Sequence, residues 1–447
     1  MILQAFSGLF APEIVSPNAD PPPAAARPPG TANGGEETAS THAAPTSRAI
    51  FLTVLVAALG YFVDIYDLIL FSIVRVPSLK SLGLSGDELT NVGVRLINWQ
   101  MGGMLVGGVL WGVLGDKRGR LTVLFGSILT YSLANIANGF AQTVPQYEVL
   151  RFVAGVGLAG ELGAGITLVG EVMPKASRGY GTTLVAGVGI LGAVVAALVG
   201  DAFAWRTAYF IGGGLGLSLL LVRVGLRESG MFHRAKESGV KHGDFLALFR
   251  SAGRLKRYFA VILVGIPVWY AVGILVTFSP EIAKALHIAE APKPSRAVML
   301  MYAGLALGDF GSGLLSQLLK SRRKVIGGFL AATSLCVVAY FTVGASSLTS
   351  FYACIFALGI ASGYWAVFVT VASEQFGTNL RATVATTAPN FVRGTLVLAT
   401  LAFQALTARY NAVTAAIVVG VVEMLLAAIA LGFLDETYAK DLDFTEE

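Results

Sequence analysis

The chain has 447 residues, of which 55% are hydrophobic and only 13% charged, with a net charge of +5 and a mean hydropathy of +0.70. A soluble domain carries roughly 25% charged residues, so this composition argues for a polytopic membrane protein and against an ordinary globular enzyme. The positive balance is no nucleic-acid signal, because no basic groove with interleaved aromatics runs through the sequence.

Residues 1–47 are rich in Pro, Ala, Gly, Ser and Thr and read as a disordered tail. Apolar runs then recur between polar breaks. They predict an all-α membrane protein of twelve transmembrane helices, near 50–76, 91–114, 121–141, 146–173, 179–200, 206–226, 258–287, 296–319, 324–345, 349–375, 381–408 and 411–434. The first run carries Asp64 and Asp67. On insertion scales each would cost roughly 2.5–3.5 kcal/mol near a helix centre. Such acids mark a functional site with a partner to be found. They are three residues apart and share a helix face.

The second and third runs are joined by Gly112-Val-Leu-Gly-Asp116-Lys117-Arg118-Gly119-Arg120. Its glycines allow a tight turn. Asp116 and the basic residues can bridge helices in one state and part in another, or form an ordinary solvated turn. The fourth run contains Arg151, then Gly155-Val-Gly157-Leu-Ala-Gly160-Glu161, and closes on Glu171 and Arg178. The formal G-x-G-x-x-G lies inside an apolar run with no preceding strand, so helix packing explains it better than a dinucleotide. No nucleotide-binding P-loop occurs, and no cofactor is expected. The fifth run contains Gly187, Gly189 and Gly192 but no proline.

Arg227–Arg257 is the one long, strongly basic internal linker. It divides the chain into a tail (1–47), a first six-helix half (48–226), the linker (227–257), a second half (258–434) and a C-terminal tail (435–447). With both termini cytoplasmic, most Lys and Arg fall on the cytoplasmic side. The halves repeat: Glu171 and Arg178 recur as Glu374 and Arg381, about 203 residues later. Two parallel repeats would place a substrate site at midplane between them. The second copy of the turn motif has Gln317 where the acid should be, followed by Lys320-Ser-Arg322-Arg323-Lys324.

Other mid-run charges are Glu161, Asp309, Arg393 and Glu423. Asp309 and Arg393 lie at similar depth and could pair, or Arg393 could hold an anionic substrate group. Glu423 has no account. Gln100, Trp269, Tyr270, Tyr364 and Trp365 are candidates for a cavity wall, or for packing. Cys336 and Cys354 sit in apolar runs as core thiols, and no Cys/His cluster suggests a metal. No nucleophile–base set suggests an enzyme.

The 112–120 loop resembles the signature loop of the major facilitator superfamily, G-x-x-x-D-[RK]-x-G-[RK]. Together with Tyr66-Asp67, Arg151–Glu161, Glu171–Gly179, Arg227-Glu228-Ser229-Gly230 and Glu374–Arg381, the chain is similar to that superfamily's proton-coupled symporters: the sugar porters, metabolite:proton symporters and aromatic-acid:proton symporters. Asp64-Ile-Tyr66-Asp67-Leu68 is similar to the D-G-Y-D-L of the aromatic-acid group, with Ile65 in place of glycine. The resemblance implies a two-half twelve-helix fold. It implies a gate built from Gly112, Asp116, Arg118, Gly119, Arg120, Glu171, Arg178, Glu228, Glu374 and Arg381. It also implies proton coupling through Asp67 paired with Arg151, with Asp64 beside it. A depth count agrees with that pairing: Asp67 is about 25 Å from the cytoplasmic start of its helix, and Arg151 about 9 Å below the outer start of its own, in a core about 30 Å thick. A static ion pair is the alternative. The missing proline of the fifth run argues against drug:proton antiporters.

The function expected is proton-coupled symport of a small organic acid by a monomer in the bacterial inner membrane, energised by the proton gradient. A sugar or polyol symporter, an effluxer, or a non-transporting membrane sensor are the alternatives.

Overall fold

The computed structural model of the chain describes residues 47–118, 120–173, 178–227 and 245–438. Helices follow one another as α1 Ser47–Ser81, α2 Gly86–Arg118, α3 Arg120–Asn138, α4 Val144–Leu158, α5 Glu161–Val172, α6 Arg178–Ala202 and α7 Trp205–Arg227. A short 3-10 helix at Phe245–Phe249 precedes α8 Ala252–Tyr270, a π-helical turn Ala271–Val276 and α9 Ser279–Ala285. Then come α10 Pro294–Leu318, α11 Arg322–Thr342, α12 Leu348–Ala361, α13 Trp365–Glu374, α14 Thr378–Arg409 and α15 Ala412–Leu431.

Three of the expected spans are divided: α4 with α5, α8 with the π turn and α9, and α12 with α13. Counting each as one span gives the twelve expected. Ten stretches are apolar and long enough to cross a bilayer on that basis alone, among the described residues. The other two are α2, which opens on Asp87 and Glu88, and α3, which is 19 residues long and carries buried Ser127, Ser132, Asn135 and Asn138. Those polar groups face the protein, so hydropathy understates how well α3 suits the membrane. Outward positions are apolar instead: Leu221, Leu335 and Leu398 are each more than 70% exposed. This inversion is expected where the solvent is lipid.

Close helix contact is set by paired glycines. A Cβ on Gly155 of α4 would strike the Gln100 backbone of α2, and one on Gly103 the Phe152 carbonyl. In the second set, a Cβ on Gly359 of α12 would strike the Met301 carbonyl of α10, and one on Gly304 the Phe356 carbonyl. The same contact thus recurs about two hundred residues on, and so does the break that follows it, at Ala159–Gly160 and at Ser362–Tyr364.

Two seams join the first six spans to the last six. Along one, α2 packs on α14; along the other, α6 packs on α10. Alternation of the spans puts residues 118, 120, 227, 245–252 and 431–438 on one face, called here the terminal face. Residues 81–86, 202–205 and 285–294 lie on the opposite face.

Candidate functional site

The charged residues expected in the membrane converge at the middle of the bundle. Asp64 and Asp67 of α1, Arg151 of α4, Glu161 of α5, Asp309 of α10 and Arg393 of α14 are all buried. Nothing about an apolar helix favours this, so each must be met by a partner or a ligand.

The pairing differs from the one expected. Asp67 makes no ion pair with Arg151. Arg151 donates instead to the Gln100 side-chain oxygen and to the Tyr209 hydroxyl at 3.4 Å, with its guanidinium 5.0 Å from the Phe71 ring centroid. Gln100 also donates to the Leu68 carbonyl at 3.3 Å. An amide oxygen and two aromatic faces therefore hold the arginine, and Gln100 ties α4 to α1. Neither carboxylate oxygen of Asp67 has a well-formed hydrogen bond, although the Asn135 side chain stands close enough to donate one and Arg151 lies within electrostatic reach. Depth along a helix does not fix which way a side chain turns around it.

Arg393 does not pair with Asp309. Asp309 accepts from the Ala366 backbone N–H at 3.2 Å and so caps the start of α13, satisfying a donor that the break at 362–364 exposes. Arg393 faces Asp64 across the two sets of spans, with Nη1 and Oδ2 3.9 Å apart. That is an ion pair but too long for a hydrogen bond. All three nitrogens of Arg393 and both oxygens of Asp64 lack hydrogen-bond partners. The guanidinium stands over the Trp269 ring, 5.5 Å from its centroid, and Trp365 packs edge-on to Trp269 at 6.4 Å.

Of the candidate wall residues, Gln100, Trp269 and Trp365 are at this centre. Tyr270 and Tyr364 are not. The Tyr270 hydroxyl turns away to the Ala416 carbonyl of α15, and that of Tyr364 to the Val264 carbonyl of α8. Both serve packing. A small cavity, with room for about one water, opens one helical turn beyond the Asp64–Arg393 pair and is lined by Leu68, Ser72, Gln100, Trp269, Thr277 and Leu396 among others. The π turn borders it; its extra residue re-aims the chain so that the Thr277 N–H bonds the Val272 carbonyl, five residues back.

Two charged contacts were absent from the sequence reading. Glu161 is paired with Arg223 of α7, both buried. Arg223 sits inside an apolar run, so a search of that run for ionisable residues would have found it. On the opposite face, Arg75 is wholly buried. It bonds Glu281 at 2.7 Å and the Thr277 carbonyl at 3.2 Å, and it stacks 4.7 Å from the Phe278 centroid. Arg75 falls at the very end of the expected first span, 50–76, where a charge draws no notice; α1 in fact continues through Pro77 to Ser81.

Of the expected gate, Gly119 and Glu228 lie outside the described residues, as do the side chains of Asp116, Arg120, Glu171 and Arg178. Arg118 is exposed, and Gly112 approaches Thr387 of α14. Glu374 pairs with Arg322 at the start of α11, so the second copy of the motif does hold a charge contact although Gln317 is exposed. Arg381 is half-buried. Burial opposes ionisation of Glu436, but hydrogen bonds from Ser321 and from the backbone of Tyr438, Arg322 and Arg323 outweigh it and hold that carboxyl below its ordinary range. Asn390 of α14 donates to the Ala159 carbonyl at 2.8 Å, the acceptor freed where α4 ends. The centre is thus covered on both faces. No group of acids, cysteines or histidines among the described residues could hold a metal.

Comparison with known proteins agrees with this architecture. The family model described as Major Facilitator Superfamily matches residues 50–394. A probable 4-methylmuconolactone transporter of Cupriavidus pinatubonensis is 28% identical over 46% of this chain and 50% of its own length. The chain thus spans about half of that relative. A putative niacin/nicotinamide transporter of Bacillus subtilis is 27% identical over 78% of this chain and 87% of its own. The solved structure of a proton:xylose symporter superposes with a TM-score of 0.67 at 17% identity, over 89% of this chain and 98% of the other, a likeness of fold.

Proposed function

The chain belongs to the major facilitator superfamily, and from that premise we propose that it carries a small ring-bearing carboxylate across the membrane together with a proton, by alternating access. The observation that carries this reading is Arg393, a buried guanidinium with no hydrogen-bond acceptor on any of its three nitrogens. A buried cation left so open is costly unless an anion completes it, and a guanidinium fork matches a carboxylate with two parallel hydrogen bonds. The Trp269 face and the Trp365 edge beside it suit a flat ring better than a hydroxylated sugar. The relatives named above point the same way, since niacin is a pyridine monocarboxylate.

The proton part rests on Asp64 and Asp67. Both are buried without well-formed hydrogen bonds, and a carboxyl so placed changes charge as an arginine approaches or withdraws. Rocking of the two sets of spans about the α2–α14 and α6–α10 seams would expose the centre to each side in turn. We place both termini in the cytoplasm of a bacterial cell, from the Lys and Arg gathered on the terminal face.

In proteoliposomes, uptake of benzoate and nicotinate should follow an imposed proton gradient. Arg393→Gln should lower it at least tenfold while the protein remains folded. Uptake indifferent to collapse of the gradient removes the coupling, and full uptake by Arg393→Gln removes the anchor.

A further inference from the structure

Resting on the reading of Asp67 as a proton site, we infer that α3 lines a column of bound water inside the first six spans, along which protons reach Asp67 from the face opposite the terminal one while the substrate centre stays closed.

Polar groups follow one side of α3. Ser127, Tyr131, Asn135 and Asn138 recur at helical spacing and so share a face, over about 16 Å of helix. With Ser132 beside them, all are wholly buried. The hydroxyls of Ser127, Tyr131 and Ser132 and the Oδ1 of Asn138 have no hydrogen-bond partner. The Asn135 carboxamide has no well-formed bond either, though it stands close enough to Asp67 to donate one. Neighbouring polar groups in that condition are costly when dry. Bound water relieves them, since a buried water needs two to four polar partners and these offer donors and acceptors together. A metal cation fits less well. It takes oxygens alone, and Arg151 within electrostatic reach of Asp67 repels it. On the facing helix, a Cβ on Gly212 would fall on an Asp67 oxygen and one on Gly216 on the Ser132 hydroxyl. With glycine at both, these polar atoms meet the α7 backbone and no apolar side chain.

The two ends of the column differ. Towards the terminal face, buried Val123 and Leu124 close it, and the nearby Glu161 is already matched by Arg223. Towards the opposite face, Asn138 is the last residue of α3, and the chain turns at once through exposed Phe140, Gln142 and Thr143. Arg206 of α7 holds the Gly139 and Ala141 carbonyls there at 3.0 and 2.7 Å, so the mouth is polar. All these groups belong to the first six spans, whereas Arg393, Trp269 and Trp365 belong to the last six. The column therefore needs neither seam to part. A proton entering at Asn138 is handed on as each water accepts one proton on its oxygen and gives one up. The last O–H bond forms on an Asp67 oxygen, and the waters are left neutral. The hydroxyls of Ser132 and Tyr131 can pass a proton in the same way, while the carboxamides only orient the water. Tyr131 is within electrostatic reach of Asp64 as well as Asp67, so the same water serves both acids.

The first test reads the water itself, in purified full-length protein. Brief X-ray radiolysis makes hydroxyl radicals from bound water, and these oxidise the side chains beside it, as mass spectrometry records. Tyr131 should be oxidised severalfold faster than Tyr340 and Tyr364, which are as deeply buried but whose hydroxyls are bonded to the Leu275 and Val264 carbonyls. The second test reads the route, in proteoliposomes. Asn138→Leu should lower gradient-driven benzoate uptake about tenfold. Exchange of labelled for unlabelled benzoate should keep nearly its full rate, since in exchange the proton stays on the protein. The melting temperature should not fall, because a half-satisfied amide is replaced by an apolar group of similar shape. Asn138→Ser, small enough to admit water, should keep the uptake. Oxidation of Tyr131 no faster than that of the two reference tyrosines overturns the column and leaves the proton reading standing, whether or not the variants fold. Full gradient-driven uptake by Asn138→Leu overturns the route, as does an equal loss of uptake and exchange. Uptake by the unmodified protein that ignores the gradient removes the proton reading, and with it the role given to the water, even where Tyr131 is oxidised.

Discussion

Burying Glu161 and Arg223 strips both of water, and their mutual contact is what makes this tolerable. Glu161→Ala leaves a buried guanidinium unmatched and should cost about 3–5 kcal/mol, read as a lower melting temperature in detergent. Glu161→Met with Arg223→Met should recover most of that loss; if the double variant melts as low as the single one, charge is not the cause. At this scale the sequence was informative about which residues matter. Asp64, Asp67, Arg151 and Arg393 stand out because ionisable groups do not belong in apolar runs. Their partners were less legible. A residue count from the helix starts pairs Asp67 with Arg151, yet Arg151 turns to Gln100 and Tyr209, and the acid that meets an arginine is Asp64. Partner choice depends on the rotation of each helix about its own axis, which apolar runs of this kind leave undefined.

At the scale of elements, the repeated Gly-rich segment explains a repeated structure. Gly155 and Gly359 allow backbone-to-backbone contact with α2 and α10, and each is followed by a break in its span. The breaks free backbone groups that distant side chains then satisfy: Asn390 takes the Ala159 carbonyl, and Asp309 takes the Ala366 N–H. Gly155→Leu should force α4 off α2, costing about 1–3 kcal/mol or more as overpacking and disturbing Gln100 and Arg151 along with it. The expected readout is a lower melting temperature together with reduced uptake; an unchanged melting curve would show that the two helices can separate without cost. The glycine spacing was visible in sequence. The π turn at Ala271–Val276 was not, because a single added residue in a helix leaves no mark in an unbroken apolar stretch.

For the whole molecule, the described side chains close the centre on both faces. Asn390 reaches Ala159 on the terminal side, and Arg75 joins Glu281, Thr277 and Phe278 on the other. The proposed alternating access requires the second set to part. Arg75→Ala should bias the protein towards opening at that face. A cysteine probe placed by Ser72→Cys should then react severalfold faster with a membrane-impermeant thiol reagent, and Arg75→Glu combined with Glu281→Arg should slow it again. Equal labelling with and without Arg75 would mean that the seams alone hold the face shut. The sequence by itself determined the solvent, the number of spans, the family and most of the unusual charges, though not Arg75 or Arg223, because hydropathy, loop motifs and the cost of a charge in lipid are properties of local composition. Only the tertiary structure decided that Asp64 faces Arg393, that Glu161 is matched by Arg223, that Asp309 caps a broken helix and that Arg75 bridges to Glu281. Each of those pairs joins residues more than 50 positions apart, and only packing fixes which faces of two helices meet.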